Sequence, residues 1–392
     1  MSLLLDKTLG VYVSVPFCAS KCSYCNFASG VFARDRMAPY VQRLAGEIRG
    51  SGQRWLEMGA ELPRELDSIY FGGGTPSLLP ADLFAQISDA LRMEFALPST
   101  VEWTIECAPG QLSPETLTAM VHAGVNRLSF GVQSFVDQEA AAVGRLHTRQ
   151  VTEDTIELAR TYGITNINVD LLAGLPHQTE DSWRESVDGA IESGVPHVSI
   201  YMLEVDDDSR LGRELMASGG KYHARSVPAD DAIADFYEIA CARLNDSGIR
   251  QYEISNFARD GCESRHNLRY WRRGPYLGVG MDAHSCLRRT NGRTIRFANS
   301  DDLAGYVTGE AGVEEMVDSK AQLEEAWFLG LRRSSGVSLA EVSEEFGEAA
   351  AKSFRTLGHE LADEGLVELA EQNLRLTARG RLLSNEVFAR FL

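Results

Sequence analysis

The sequence lacks the features that mark membrane-spanning, secreted and fibrous proteins. It has no run that approaches the roughly 18 consecutive apolar residues of a membrane-spanning helix. Its first ten residues have neither the basic start nor the long apolar run of a secretory signal. Hydrophobic residues make up 44% of the 392 residues and charged residues 24%, which is usual for globular proteins. We therefore expect a cytoplasmic globular protein with two or three structural units.

Basic residues are also few in relation to acidic ones. The chain carries 38 Lys and Arg against 56 Asp and Glu, which gives a net charge of −18 at pH 7. Such an acidic surface repels phosphate backbones and anionic lipid headgroups. The charge balance therefore argues against duplex nucleic acid as the main partner.

Strand-forming and helix-forming segments alternate over the first 245 residues. The predicted strands cover residues 11–15, 67–73, 101–106, 125–133, 164–172 and 197–203. One intervening helix has clear ends, because Ser113 before Pro114 is a typical N-cap and Gly124 a typical C-terminal glycine. Repeated strand–helix units predict an α/β fold with a parallel sheet. The sheet is either a partial (β/α)6 barrel, with its chemistry at the carboxyl ends of the strands, or a doubly wound open sheet.

Three regions are predicted along the chain: the barrel over 1–245, a linking region over 246–317 and a C-terminal module over 318–392. The linking region is rich in Gly, Arg and aromatic residues and is interpreted as strands and loops packed beside the barrel. The C-terminal module combines helices with a predicted hairpin at 365–377 and a final helix, a winged-helix-like α+β pattern. Its segment 347–365 is not basic, which favours protein contact or capping of the barrel over DNA binding.

Cysteine is scarce, but three of the seven cysteines fall within eight residues. Cys18, Cys22 and Cys25 follow the first predicted strand with the spacing C-x-x-x-C-x-x-C. An odd, unevenly spaced set argues against a disulfide framework. A structural zinc site usually has four ligands in two C-x-x-C pairs, and the second pair is missing. Three thiolates on one loop would instead hold an iron–sulfur cubane and leave one iron open to an exchangeable ligand.

Glycines and polar side chains mark the ends of the next strands. The run from Gly72 to Pro76 ends the second strand, Glu106 the third and Gln133 the fourth, while Asp170 lies in the fifth. Glycine lets a backbone approach a ligand closely, although a bare tight turn is the alternative. Buried polar groups without partners cost free energy, so these side chains and Arg145 indicate either a ligand or internal strand-end hydrogen bonds.

These motifs together resemble the radical S-adenosylmethionine (SAM) superfamily. Further stretches are similar to the oxygen-independent coproporphyrinogen III oxidase family and, within it, to its heme chaperone (HemW) branch. The resemblance runs from about residue 10 to the C-terminus, through VYVSVPFCASKCSYCNF, YFGGGTPSLL, RLSFGVQSFVDQEAAAVGRLHT, INVDLLAGLPHQT, HNLRYWRRGPYLGVG and LTARGRLLSNEVF.

The resemblance implies cofactors, partners and site residues. It implies a [4Fe–4S] cluster on Cys18, Cys22 and Cys25, with SAM on the open iron and reductive cleavage of SAM to a 5′-deoxyadenosyl radical. The implied partners are heme, recipient heme proteins and a reductant for the cluster. Glu204 and His284 align with further SAM positions of the oxidase but differ in residue type. The residues that it places around SAM are Tyr12, Tyr24, Gly73, Gly74, Thr75, Glu106, Gln133, Arg145 and Asp170.

Two departures separate the chain from the oxidase. Phe27 stands where the oxidase has a further cysteine, and only ten residues precede the first predicted strand, where the oxidase has a longer arm. Conversely, the H-N-x-x-Y-W stretch from His266 to Trp271 resembles the motif associated with heme handling in the chaperone branch.

The residue types in this stretch suit heme. A neutral His266 imidazole can ligate heme iron, and Tyr270 and Trp271 offer flat faces to a porphyrin. Nearby guanidinium groups could bind the two propionates; they belong to Arg269, Arg272 and Arg273. The alternative is that His266 and Trp271 only anchor the linking region on the barrel and that the arginines form a solvated loop.

The sequence therefore predicts a radical SAM protein that binds heme and transfers it to recipient heme proteins. The alternative is an enzyme, an oxygen-independent coproporphyrinogen III dehydrogenase that removes propionate carboxyl groups by radical chemistry. A third hypothesis is a radical enzyme that acts on an unrelated substrate.

Overall fold

The computed structural model describes residues 7–205, 207, 209–217, 219–370 and 372–392. The first six residues, which are part of the ten-residue start without a secretory signal pattern, lie outside the described residues. Over the described ranges, no helix is both long enough and apolar enough to cross a membrane.

One large sheet and one small sheet organise the described residues. The large sheet has the strand order β12-β11-β10-β9-β1-β2-β3-β4-β5-β6-β8-β7, and the small one β13-β15-β14. The strands are β1 (Thr8–Val15), β2 (Glu65–Gly73), β3 (Glu102–Cys107), β4 (Arg127–Gln133), β5 (Asn166–Ala173), β6 (His197–Met202), β7 (Arg250–Gln251), β8 (Asn256–Ala258), β9 (Tyr276–Val279), β10 (His284–Arg288), β11 (Thr294–Ala298), β12 (Val313–Val317), β13 (Val337–Ser338), β14 (Val367–Ala370) and β15 (Asn373–Leu376).

Helices connect these strands. The α-helices are Met37–Glu57, Ala81–Glu94, Pro114–Ala123, Asp137–Ala142, Arg149–Thr161, Glu180–Glu192, Arg210–Ala217, Asp230–Asp246, Arg265–Trp271, Leu303–Thr308, Ser319–Leu331, Leu339–Phe346, Glu348–Asp363, Ala378–Leu382 and Ser384–Ala389. Short 3-10 helices cover Arg34–Arg36, Pro76–Leu78 and Ala224–Ser226. The predicted helix ends hold at Pro114–Ala123, where the Ser113 side chain accepts a hydrogen bond from the Thr116 N–H and Gly124 has a φ of 94°.

The six predicted strands form the parallel centre of the sheet. β1 to β6 lie side by side in chain order, and each neighbouring pair is parallel. A doubly wound sheet would reverse its strand order near the middle, so the partial (β/α)6 barrel is confirmed. β1 also pairs in parallel with β9, and β6 pairs in antiparallel with β8, so within the described chain β1 and β6 do not close the barrel on each other.

Each strand of the barrel has one apolar face and one polar face. Successive side chains of a strand point to opposite faces, and one set, which includes Val13, Phe71 and Ile105, is buried with the helices in the main core. The other set lines the concave side of the barrel, here called the inner face. Its members include Tyr12, Ser68, Tyr70, Thr104, Glu106, Arg127, Ser129, Asn168, Asp170, His197, Ser199 and Tyr201.

The linking region extends the sheet instead of only packing beside the barrel. β7 and β8 add to the β6 edge, and β9 to β12 continue the sheet beyond β1. These additions pair residues that are hundreds of positions apart, such as Val13 with Val279. The helix Arg265–Trp271 lies against β2.

The C-terminal module has a separate core. The ring of Trp327 stacks on Phe354 at 3.7 Å and on Phe391 at 5.4 Å between centroids. The predicted hairpin is present as β14 and β15, and with β13 and two preceding helices it forms the winged-helix-like arrangement. The predicted final helix is divided into two short ones at Leu383. The predicted domain boundaries remain predictions.

Candidate cofactor site

The three clustered cysteines lie on a loop that its own backbone holds closed. The loop follows β1, and its two ends pair because the Cys18 N–H donates to the Gly30 carbonyl at 2.9 Å and the Gly30 N–H donates to the Pro16 carbonyl at 2.9 Å. Between these ends, the Lys21 ammonium donates to the carbonyls of Phe27 and Ser29 at 2.9 Å and 2.8 Å. These hydrogen bonds therefore define the shape of the loop.

The three thiols lie near one another on this loop. All three are free, with Cys22 buried and Cys18 and Cys25 half-buried. Burial raises the pKa of the Cys18 thiol, and the neighbouring Cys25 and Cys22 raise it further. Among the residues that the structure describes, no three His, Cys, Asp or Glu side chains are arranged to hold a single metal ion. Three neighbouring thiols on one loop are the donor set by which proteins hold iron–sulfur clusters.

The glycine motif after β2 supports this loop directly. The Gly74 N–H donates to the Val15 carbonyl at 2.9 Å, and the Thr75 N–H donates to the Phe17 carbonyl at 2.8 Å. A Cβ at Gly74 would lie 2.7 Å from the Val15 oxygen and 2.8 Å from the Phe17 oxygen. Gly73 has a φ of 96°, a conformation that glycine adopts most readily. The motif is therefore a support for the cysteine loop and not a bare turn.

Arg145 links the cysteine loop to the end of β4. Its Nη1 lies 3.6 Å from the Cys22 Sγ, and its Nη2 donates to the Gly131 carbonyl. Its Nε is buried without a partner, as is the Gln111 Oε1. Both atoms belong to residues that line a small, partly open cavity beside Cys22 and Thr75. Unpartnered polar atoms around a cavity at the cysteine loop fit a ligand with complementary polar groups.

His147 is a further residue of this cavity. Its Nε2 lies 3.1 Å from the Val132 carbonyl oxygen. Burial and the Arg145 charge lower its pKa to about 4, so the imidazole is neutral at pH 7. The neutral imidazole therefore pairs with a backbone carbonyl near the end of β4.

Two acidic side chains interact on the inner face: Glu106 near the end of β3 and Asp170 in β5. The Tyr70 hydroxyl donates to the Glu106 Oε1 at 2.9 Å, and the Asn168 Nδ2 donates to the Asp170 Oδ1 at 2.7 Å. Burial and the Asp170 charge raise the pKa of Glu106 to about 7. Burial also raises the pKa of Asp170. Two crowded carboxyl groups are suited to a cationic ligand, because a positive charge between them relieves their repulsion.

The remaining predicted SAM residues lie around these groups. Gln133 ends β4 with a φ of 72°, at an irregularity in the pairing with β5. The Tyr12 ring stacks on Tyr70 with centroids 6.1 Å apart. The pKa of Tyr24 is raised by burial and by the nearby Cys22. Glu204, which follows β6, is exposed. His284, on β10, is also exposed, and its Nε2 lies 4.0 Å from the Asp282 Oδ1.

The H-N-x-x-Y-W helix lies beneath this site, against the inner face. His266 is 1% exposed, its Nδ1 lies 3.0 Å from the Ser68 Oγ and its Nε2 lies 2.8 Å from the Tyr270 hydroxyl. The imidazole stacks on Tyr70 at 5.3 Å. Burial and the charges of nearby arginines lower the pKa of His266 to about 3, so it is neutral. Both ring nitrogens therefore have partners in this structure.

The other residues of this stretch contact the protein as well. Arg269 forms an ion pair with Asp67, and Arg273 with Glu345 at 2.5 Å. The Trp271 ring lies under the Arg332 guanidinium at 4.5 Å, and its Nε1 is buried without a partner. These contacts anchor the linking region, whereas Arg272 is exposed.

Several polar residues of the inner face were not anticipated individually from the sequence. Tyr70 donates a hydrogen bond to Glu106, and Asn168 donates one to Asp170. The Ser129 hydroxyl also donates to Asp170, at 3.4 Å. The signal that could have identified them is the alternation of polar and apolar residues within each strand, because parallel strands buried on both faces are usually apolar throughout.

Comparisons with known proteins agree with this arrangement. A Radical SAM superfamily model matches residues 12–190 and a HemN C-terminal domain model matches residues 317–383. The superfamily implies a [4Fe–4S] cluster and SAM as cofactors. The coproporphyrinogen III oxidase (HemN) of Escherichia coli, described as a radical SAM enzyme, shares the fold with a TM-score of 0.81, at 23% identity over 99% of this chain and 90% of that chain.

Curated relatives match along nearly the whole chain. The heme chaperone HemW of Bacillus subtilis is 35% identical over 97% of this chain and 98% of its own. The heme chaperone HemW of Haemophilus influenzae is 31% identical over 98% of each chain. That of Mycobacterium tuberculosis is 34% identical over 97% of this chain and 94% of its own. The chain therefore belongs to the radical SAM superfamily and, within it, to the heme chaperone HemW family.

Proposed function

We propose that this protein binds heme and transfers it to recipient heme proteins in the cytoplasm. The observation that carries the proposal is the identity of 31% and 35% with proteins named heme chaperone HemW, which extends over nearly the entire length of both chains. The cytoplasmic location remains a prediction from the sequence.

The contacts around the cysteine loop support the proposed cofactor residues. Cys18, Cys22 and Cys25 would hold three irons of a [4Fe–4S] cluster, which would need an external reductant. When bound, cluster and SAM supply radical chemistry. The chain itself provides the charges around SAM: Arg145, beside Cys22, for a carboxylate, and the Glu106 and Asp170 pair for a cationic group. The other proposed SAM contacts are Tyr12, Tyr24, Gly73, Gly74, Thr75 and Gln133.

The heme residues in this proposal are His266, Tyr270 and Trp271. His266 is neutral near pH 7, which is the protonation state that iron ligation requires. Because its Nε2 is hydrogen-bonded to the Tyr270 hydroxyl, ligation through this nitrogen needs that hydroxyl to move aside. Heme binding is therefore coupled to a local rearrangement of the helix Arg265–Trp271.

The test is an anaerobic titration of heme into cluster-loaded protein, followed by its absorption spectrum. We expect a 1:1 heme spectrum for the wild type, an affinity at least about tenfold lower for His266→Ala, which corresponds to about 1.4 kcal/mol, and no change for His359→Ala. His359 is an exposed histidine on the C-terminal module and serves as the matched control. A wild type that binds no heme, or that cannot pass it to a recipient apoprotein, contradicts the proposal.

A second assay tests the oxidase hypothesis. Phe27, which replaces a cysteine of the oxidase pattern, is 66% exposed. We expect no protoporphyrinogen when the loaded protein is incubated with SAM, a reductant and coproporphyrinogen III. Formation of protoporphyrinogen at enzymatic rates would replace the chaperone function with the oxidase function.

A further inference from the structure

An arginine on the inner face of the barrel is buried without an acidic partner. Arg127 begins β4 and is 2% exposed. Its Nη1 donates to the Thr104 hydroxyl at 3.5 Å, which is the limit of a hydrogen bond, and its Nε has no partner. Across the described ranges, no carboxylate forms an ion pair with this guanidinium.

The side chains around Arg127 do not supply the missing charge. Burial and Arg127 itself lower the pKa of His197, and burial raises the pKa of Tyr252, so both are neutral at pH 7. His266 is neutral as well. These three residues come from β6, from the segment after β7 and from the helix Arg265–Trp271, so the elements on this side of Arg127 present neutral groups.

The acidic residues of this region accept hydrogen bonds from other groups, although the Arg127 charge opposes the rise in the pKa of Asp170 that burial causes. Asp170 accepts hydrogen bonds from Asn168 and Ser129. The two oxygens of Glu102 accept the backbone N–H groups of Arg265 at 3.0 Å and His266 at 3.2 Å. The buried Glu253 accepts from the Ser255 N–H at 3.1 Å and lies near Arg332.

A comparison with Arg269 shows that this fold can satisfy a buried arginine. Arg269 is 1% exposed and forms an ion pair with Asp67. Its Nη1 also donates to the Thr8 and Pro275 carbonyls at 3.2 Å and 3.0 Å. A buried guanidinium without such partners is costly, because it has lost its hydration without gaining a counter-charge. Arg127 therefore has the properties of a group that awaits an anion.

The inner face is open from the carboxyl ends of the strands. Tyr201 at the end of β6 is exposed, and Tyr12, Tyr70 and Asp170 are half-buried. Arg127 lies four residues before Gly131, the partner of Asp170, so it is roughly 13 Å deeper along β4 at about 3.3 Å per residue. The Arg127 backbone is therefore deeper than the proposed SAM residues at the strand ends, whereas the charge of its guanidinium reaches Asp170 and Tyr70 without a hydrogen bond to either.

We propose that Arg127 is the cation of a carboxylate-binding site inside the barrel, and that the carboxylate is a propionate of heme. This inference rests on the proposed function. A guanidinium binds a carboxylate through two parallel hydrogen bonds, and a water-poor site strengthens them. The Thr104 and Tyr252 hydroxyls are further polar groups at this depth.

The test compares heme with heme dimethyl ester, whose propionates carry no charge. We expect the cluster-loaded wild type to bind heme at least about tenfold more tightly than the ester. Arg127→Gln should bind both equally, and the exposed control Arg355→Gln should keep the wild-type preference. If the wild type binds neither ligand, the proposed function fails. If it binds heme and ester with equal affinity, only the assignment of Arg127 fails.

Two further measurements separate other roles of Arg127. SAM also carries a carboxylate, so SAM affinity is measured by calorimetry. We expect the SAM affinity of Arg127→Gln to equal that of the wild type. A loss of SAM affinity with an intact preference for heme over the ester overturns the assignment.

Thermal unfolding tests whether Arg127 has a purely structural role. The Tm values of ligand-free Arg127→Met and Arg269→Met are compared with that of the wild type. We expect the Tm of Arg127→Met to equal or exceed that of the wild type, because an unpaired buried charge is removed. A drop as large as that of Arg269→Met contradicts the inference.

Discussion

The Tyr70 hydroxyl donates a 2.9 Å hydrogen bond to the Glu106 Oε1 across the neighbouring parallel strands β2 and β3. This bond favours the ionised carboxylate, whereas burial and Asp170 disfavour it more strongly and hold the pKa of Glu106 near 7. Glu106 is therefore a group whose charge changes close to physiological pH.

The raised pKa of Glu106 makes the stability of the cofactor-free protein depend on pH. The folded-state pKa of about 7 lies above the ordinary value of 4.5, so the folded protein loses stability as pH rises from about 4.5 to about 7, and the loss levels off at higher pH, where Glu106 is ionised in both states. We expect Glu106→Gln to raise the free energy of unfolding by about 3 kcal/mol at pH 8 and to change it little at pH 4. Urea unfolding at the two pH values measures this difference; an equal effect at both would contradict the assigned pKa.

Arg145 is expected to be needed for SAM and not for assembly of the cluster. Its guanidinium contacts Cys22 and the end of β4, but it is not an iron ligand in our proposal. We expect Arg145→Met to retain the iron–sulfur absorption and to weaken SAM binding at least about tenfold, since a charge-assisted contact contributes about 1.5–3 kcal/mol. Calorimetry on the loaded protein measures the affinity, with the exposed Arg355→Met as control. Unchanged SAM affinity would remove Arg145 from the site.

The cysteine assignment is tested by single and triple substitutions. We expect Cys22→Ala to lose the broad visible absorption of the cluster, because two thiolates hold a cubane poorly. Cys241→Ala, on the helix Asp230–Asp246, should leave iron and sulfide content unchanged. Full iron content in the triple variant of Cys18, Cys22 and Cys25 would disprove the assignment.

Gly74 is expected to be required for the shape of the cysteine loop. A methyl group at this position would overlap the backbone of Val15 and Phe17. We expect Gly74→Ala to lower the free energy of unfolding by about 1–3 kcal/mol and to reduce cluster content. Gly46→Ala is the matched control, since nothing lies within 4 Å of its added methyl group, and it should stabilise the helix Met37–Glu57 by about 0.5–1 kcal/mol. Equal effects of the two substitutions would contradict the support role of Gly74.

Features that depend on neighbours in the chain could be predicted from the sequence. Runs of strand-forming residues located all six barrel strands, and the cap at Ser113 located a helix start, because both patterns arise from local backbone geometry. The spacing of Cys18, Cys22 and Cys25 likewise placed three thiols on one loop. The polar strand ends indicated where ligands approach, since parallel strands end at the same edge of the sheet.

Features that depend on distant pairing were decided by the tertiary structure alone. Nothing local in the sequence tells Arg127 from Arg269, yet only Arg269 meets a carboxylate, that of Asp67, which lies 202 positions away. The partner of the His266 Nδ1 is Ser68, which lies 198 positions away. The pairing of β9 with β1 likewise joins residues that are far apart in the chain. Local patterns determine which elements form, whereas the charge and hydrogen-bond balance of a buried group depends on which elements pack around it.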